Sequence, residues 1–289
     1  MSFGPLRGAS AGLAALALVA CVRGSPGDKA GDPSAADDTA PAVDTDPAVD
    51  TDPGVETDAP AEGLHGLLVD AAGAPLPRTP ILACTAAFCL NGETNDDARF
   101  SFAFDPGAEV AVKTHEDLDA SPRRGAALVP CLVPGHDPVD AGEVWAPDLP
   151  DGTPFPADWR ATTALDAGDG LELTLRRIDL QPAFGDTLTD VAARRVPEAR
   201  LGAYRAPEGE EVVAVYALHP FAATSASPVG IRVETDLPAG VAVRFRAISE
   251  IDGALLPAVD GTSDGAYAAT APGAGIGRLT YLLVTRLAD

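Results

Sequence analysis

Gly261-Thr-Ser-Asp-Gly265 has the Gly-x-Ser-x-Gly spacing that exposes a nucleophilic serine in many esterases. That chemistry needs the serine on a tight strand-to-helix turn, with an acid and a histidine later in the chain. Here Ala266-Tyr-Ala-Ala-Thr270 follows, strand-like, and no histidine occurs after His219. The spacing therefore reads as a hairpin turn. His115-Glu116-Asp117 and His136-Asp137 hold the residue types of a general base or a metal site, but neither has a partner at a diagnostic spacing. Both read as solvated turns. Asp166, Asp169, Asp260 and Asp264 flank glycine turns and have the chemistry of calcium ligands, yet such turns form for backbone reasons alone. Cys84, Cys89 and Cys131 would need a fourth ligand, such as His136, to hold zinc, and exported zinc-thiolate sites are uncommon. No catalytic residue, metal ligand or cofactor is assigned. The enzymatic alternative is a hydrolase whose site gathers dispersed residues, drawn from His115, His136, His219 and Ser263.

Cys21 is different, because its surroundings specify its chemistry. Arg7 is the only charge before an apolar run, Ala11 to Ala20, and polarity resumes at Arg23. Ten residues is half of what a bilayer-spanning helix needs, but it suits the apolar core of an export signal. Leu18-Val19-Ala20-Cys21 resembles the lipobox of bacterial lipoproteins at all four positions. The resemblance implies cleavage before Cys21, a diacylglyceryl group on its sulfur and an acylated new N-terminus. Each buried methylene contributes about 0.8 kcal/mol, so two or three chains on one residue make a lasting membrane anchor. Val22, not Asp, follows the cysteine, which in that family implies the outer membrane of the bacterial envelope.

The elements behind this anchor must carry a net charge of −23 over 289 residues. So acidic a surface repels phosphate backbones, so nucleic acid is excluded as a partner. Lys29 and Lys113 are the only lysines, which leaves little for Schiff-base chemistry. Residues 21–62 hold Asp, Pro, Thr, Ala and Gly without an aromatic, and repeat a hexad: Pro41-Ala-Val-Asp-Thr-Asp46, Pro47-Ala-Val-Asp-Thr-Asp52, Pro53-Gly-Val-Glu-Thr-Asp58. One valine per hexad builds no core, and the carboxylates repel, so a disordered linker is expected. About forty residues reach roughly 130 Å as polyproline helix or about 35–40 Å as a flexible coil. Pro47 and Pro53 interrupt the alternation that a calcium loop requires.

From Gly63 the pattern is β. Leu64–Asp70 and Thr79–Cys84 read as strands, and Arg99-Phe-Ser-Phe-Ala-Phe104 places three phenylalanines on one face. Asn91-Gly92 and Asn95-Asp96-Asp97 read as turns. Ala126–Val133 reads as a strand broken at Pro130, and Val139–Trp145 as a last strand that closes the core with its tryptophan. If Ala86-Ala87 forms a two-residue hairpin loop, Cys84 faces Cys89 within disulfide range. A Cys84–Cys89 bridge is expected, with Cys131 a buried free thiol. Gly66-Leu-Leu-Val-Asp-Ala-Ala-Gly-Ala-Pro-Leu76, Thr94 and Arg99-Phe-Ser-Phe102 together resemble the carboxypeptidase regulatory-like domain, over residues 63–115. Asn95 and Ala98 stand where that family has Asp and Gly. The resemblance implies a transthyretin-like, non-catalytic sandwich.

Dense Pro and Gly at 147–156 suggest a boundary, and 151–170 is expected to be a connector. Beyond it, Leu171–Arg176, Glu211–Leu218, Gly230–Glu234, Val241–Ala247 and Leu279–Val284 carry strand patterns, and no helical period appears. The chain is thus expected to be all-β: signal peptide 1–20, linker 21–62, a sandwich over 63–150, the connector, and a second sandwich over 171–289. The expected function is non-enzymatic: an envelope lipoprotein that presents binding modules to a protein or glycan. A glycan-binding face would want exposed aromatics, for which Trp145, Trp159 and Tyr204 are the candidates, Trp145 more naturally in the core.

Overall fold

The protein is described here by a computed structural model covering residues 63–104, 107–133, 139–183 and 187–288. The signal segment, Cys21, the linker to Ala61-Glu62 and the pair His136-Asp137 lie outside the described residues. The fold is all-β; the described helical segments are short 3-10 turns at Arg177–Asp179 and Glu198–Ala203.

Seven strands form the first sandwich: β1 (Leu64–Val69), β2 (Pro80–Cys84), β3 (Cys89–Glu93), β4 (Arg99–Phe102), β5 (Ala108–Lys113), β6 (Leu128–Val133) and β7 (Val139–Trp145). One sheet runs β4-β1-β7, with β7 parallel to β1, and the other runs β3-β2-β5-β6. Alternation along the strands points Leu64, Leu68, Ile81, Phe100, Phe102, Val110 and Val112 into the space between them. Burying each such side chain contributes about 1.5–3 kcal/mol. Phe100 and Phe102 share a face, with ring centres 6.0 Å apart.

The turns explain why the sequence bends where it does. The Asp70 carboxylate accepts from the amides of Ala72 and Ala74, closing the loop before Pro75. Buried Thr94 accepts from the Thr79 amide and donates to the Leu76 carbonyl, pinning that loop from below. Ala98 has φ of 59°, the left-handed conformation that Gly adopts without strain. Asn91-Gly92 is not a turn. Both lie within β3, and a Cβ at Gly92 would sit 2.9 Å from the Phe102 ring, so this glycine makes room for an aromatic. Nor does Pro130 break β6. It pairs with Ala111 on an edge strand, where a missing N–H costs no ladder bond.

The second sandwich is a single twelve-stranded sheet that folds over on itself. Its strands are β8 (Thr153–Pro154), β9 (Thr163–Gly168), β10 (Leu171–Leu175), β11 (Leu180–Gln181), β12 (Asp190–Arg195) and β13 (Glu210–His219). They are followed by β14 (Ala223–Glu234), β15 (Ala242–Ile248), β16 (Val259–Ser263), β17 (Tyr267–Thr270), β18 (Ile276–Leu279) and β19 (Tyr281–Leu287). The order is β8-β12-β13-β19-β15-β16-β17-β14-β10-β9, and β11 and β18 also pair with β14. Leu173, Tyr216, Leu218, Ile231, Phe245 and Val284 fill the interior. The expected connector 151–170 largely belongs to this sheet, since it supplies β8 and β9. The strand expected at Leu279–Val284 splits at buried Thr280, whose hydroxyl donates to the Ile248 carbonyl at 2.6 Å.

A third apolar cluster joins the sandwiches. Val69, Leu128 and Trp145 from the first pack on Tyr204, Val215, Ile248, Tyr281 and Leu283 from the second. The Tyr204 and Tyr281 rings stack at 5.7 Å, and their hydroxyls donate across the seam to the carbonyls of Leu128 and Ala126, each at 3.0 Å. Tyr204 is therefore a core residue, not a surface platform, and Trp145 closes the core as the pattern of its strand suggests.

Candidate functional site

Four polar side chains from distant parts of the chain meet beside that seam. Glu116 and Arg123 lie in the loop between β5 and β6, Asp190 opens β12, and His219 ends β13. Pairing of β12 with β13 sets Ala192 opposite His219 and so brings Asp190 close. His219 Nδ1 lies 2.9 and 3.0 Å from the two Glu116 oxygens, and Nε2 lies 3.7 Å from Asp190 Oδ1. Arg123 Nη1 donates to Asp190 Oδ2 at 2.8 Å, and the Thr189 hydroxyl donates to Oδ1. Gly152 is required here, because a Cβ on it would lie 1.6 Å from Asp190 Oδ2. The His219 side chain is 5% exposed.

Burial pushes the Asp190 carboxyl up. The Thr189 hydroxyl, Arg123 and His219 outweigh it, and the carboxyl ends below its ordinary range. Carboxylate–imidazole pairs serve as general bases when a nucleophile lies beyond the imidazole. Here each ring nitrogen faces a carboxylate, and the nearby Thr189 hydroxyl is engaged with Asp190. What the arrangement does is tie the two sandwiches: Glu116 and Arg123 of the first hold His219 and Asp190 of the second.

The other chemistry-bearing residues are held in structural contacts. Ser263 is buried; its hydroxyl donates to the Leu237 carbonyl at 2.9 Å and accepts from the Gly265 amide at 3.1 Å. Asp264 accepts from the amides of Ala266 and Tyr267, which lower its pKa and close the β16–β17 hairpin. The esterase-like spacing is thus a turn. Asp166 caps the Gly168 amide, Asp169 accepts from the Arg195 amide at 2.8 Å, and Asp260 faces Arg244 at 3.4 Å. Among the described residues no group of three or more His, Cys, Asp or Glu could hold a metal ion. His115 is exposed on the β5–β6 loop.

Cys84 and Cys89 form the expected disulfide, opposite one another across the β2–β3 hairpin. Ala-Ala is a poor turn sequence. Thr85 compensates: its amide donates to the Phe88 carbonyl at 2.8 Å, and its hydroxyl accepts from the amides of Ala87 and Phe88. Cys131 is a free, part-buried thiol whose pKa burial pushes up to about 12, which leaves it unreactive. Lys113 donates to the Glu250 backbone carbonyl, and Arg278 holds the Glu250 carboxylate at 2.9 Å. Burial lowers the Lys113 pKa, but this amine too is a tie between the sandwiches.

A further network lies within the second sandwich. Glu210 has a 3% exposed side chain and accepts from Arg246 at 2.6 and 2.8 Å, from Arg244 at 2.6 Å and from the Thr285 hydroxyl at 2.6 Å. Arg246, against the upward push of burial, holds the Glu210 carboxyl down to about 2, with Thr285 and Arg244 adding to it.

Among the described residues Trp159 is the exposed tryptophan, at 48%. The Arg160 guanidinium lies over its ring, 5.8 Å from the ring centre. Elsewhere, Glu172, Thr174, Gly230 and Arg232 help line an open groove of about 530 Å³ on the outer face of the second sandwich. The sequence pointed to Trp159, but the Glu116–His219 pair, 103 residues apart in the chain, had no signal beyond two separate polar turns.

No protein-family model matches the chain, and no curated protein matches it in sequence. The lipobox and regulatory-domain resemblances accordingly rest on the residues quoted for them.

Proposed function

We propose that this protein is a non-enzymatic lipoprotein of the bacterial cell envelope, anchored through acylated Cys21, with its linker holding two joined sandwiches clear of the membrane for binding. The observation that carries the non-catalytic part is the engagement of Ser263 and His219, the residues from which a dispersed hydrolase would be built. The serine hydroxyl is occupied by backbone groups, and the imidazole stands between two carboxylates. The positional part is carried by the Leu18-Val19-Ala20-Cys21 tetrad behind its apolar run. Labelling of expressing bacteria with a palmitate analogue tests it. Wild type is expected to label and fractionate with the outer membrane, whereas Cys21→Ala does neither. Equal labelling of the two would remove the anchor.

A further inference from the structure

We infer that the groove on the outer face of β10, β14 and β17 is a saccharide-binding site, taking a strand of linked pyranose units. This deepens the binding reading above and rests on it. Strand alternation sends Leu171, Leu173 and Leu175 inward and leaves Glu172 and Thr174 facing out. Cross-strand register sets Arg232 opposite Glu172 and Gly230 opposite Thr174. The floor is therefore low: Gly230 has no side chain, and a Cβ there would already touch Thr174 at 3.3 Å. At about 530 Å³ the groove has the size of a small-molecule site, and it is open rather than enclosed.

Its polar groups identify the ligand chemistry. Glu172 and Arg232 face each other, yet among the described residues neither makes an ion pair or a side-chain hydrogen bond. The Arg232 guanidinium instead lies 3.4 Å from the centre of the Tyr267 ring, which fixes its plane. A fixed fork of donors opposite an uncommitted pair of acceptors suits a ligand whose groups both donate and accept. Sugar hydroxyls do so. An anion would leave the carboxylate repelled, a cation would leave the guanidinium repelled, and an apolar ligand would leave both desolvated without partners.

The test is calorimetric titration of the full-length chain with three soluble hexasaccharides, β-1,4-linked glucose, β-1,4-linked N-acetylglucosamine and α-1,4-linked glucose, with oligogalacturonate as an acidic control. Saturable binding of at least one neutral hexasaccharide is expected. Arg232→Ala and Glu172→Ala should each weaken it about tenfold or more, since each removes a charge-assisted hydrogen bond. Gly230→Leu, which fills the floor, should abolish it while circular dichroism stays that of wild type. Absence of binding by all neutral hexasaccharides, or binding unchanged in Arg232→Ala and Gly230→Leu, would overturn the assignment. Binding of oligogalacturonate alone, lost in Arg232→Ala but kept in Glu172→Ala, would also overturn it, in favour of an anion site. Palmitate labelling is independent of all these outcomes, so failure here is separable from failure of the anchor.

Discussion

The seam and the outer groove both set carboxylates against cations, and they differ in every other respect. At the seam, Glu116, Asp190, His219 and Arg123 are mutually bonded and largely buried. In the groove, Glu172 and Arg232 are opposite one another in register and, among the described residues, make no ion pair, the Arg232 guanidinium lying over the Tyr267 ring. Charges taken out of water must find each other or destabilise the fold, whereas charges left at a surface are available to a ligand. The difference separates charged groups that hold one another from charged groups left facing solvent. The Glu116–His219 cluster ties the sandwiches together, and the plainer Glu172–Arg232 pair on an outward sheet face is the one proposed to bind.

Several substitutions would break or sharpen that contrast. The largest effect is expected for Tyr281→Ala, which empties the centre of the seam and orphans the Ala126 carbonyl. A loss of about 3–5 kcal/mol is expected from urea unfolding, and a loss below about 1 kcal/mol would mean that the sandwiches do not depend on the shared core. Next is acid stability. The Glu210 carboxyl is depressed from 4.5 to about 2 in the folded protein, so its contribution is fully present above about pH 4.5. It is lost as pH falls through about 2, and is on the order of 3 kcal/mol. Glu210→Gln should flatten that part of the stability–pH curve, and an unchanged curve would refute the assignment. Asp190, also depressed, adds to the same acid loss. Gly92→Ala should cost about 1–2 kcal/mol in urea unfolding by displacing the Phe102 ring, and Phe102→Leu should relieve part of that cost. The smallest change is expected for Arg232→Ala and Glu172→Ala, whose unfolding midpoints should stay within about 0.5 kcal/mol of wild type. A larger loss would move the groove into the structural class of the seam.

Much of the fold is legible in the sequence because strand period and turn chemistry are local. Leu171–Leu175 alternates and is a strand, the Asp70 and Asn95 turns close on their own side chains, and Cys84 and Cys89 meet across one hairpin. Where local signals have two physical meanings, the reading fails. Asn91-Gly92 has turn chemistry, but its glycine is there to admit Phe102, and Pro130 is tolerated because β6 lies on an edge. The site is less legible. Glu172 and Arg232 are opposite only because β10 pairs with β14, and Tyr204 is buried only because the sandwiches share a core. These are long-range facts that no local pattern encodes.

The most direct test of the central claim, that the His219 cluster is a structural tie, is the coupling energy between Glu116 and His219 across the seam. It is read from the unfolding free energies of wild type, Glu116→Gln, His219→Gln and the double variant. The account predicts non-additivity of about 1–3 kcal/mol. Additivity within about 0.5 kcal/mol would show that the pair does not hold the sandwiches together. His219 would then have to be explained by something other than stability.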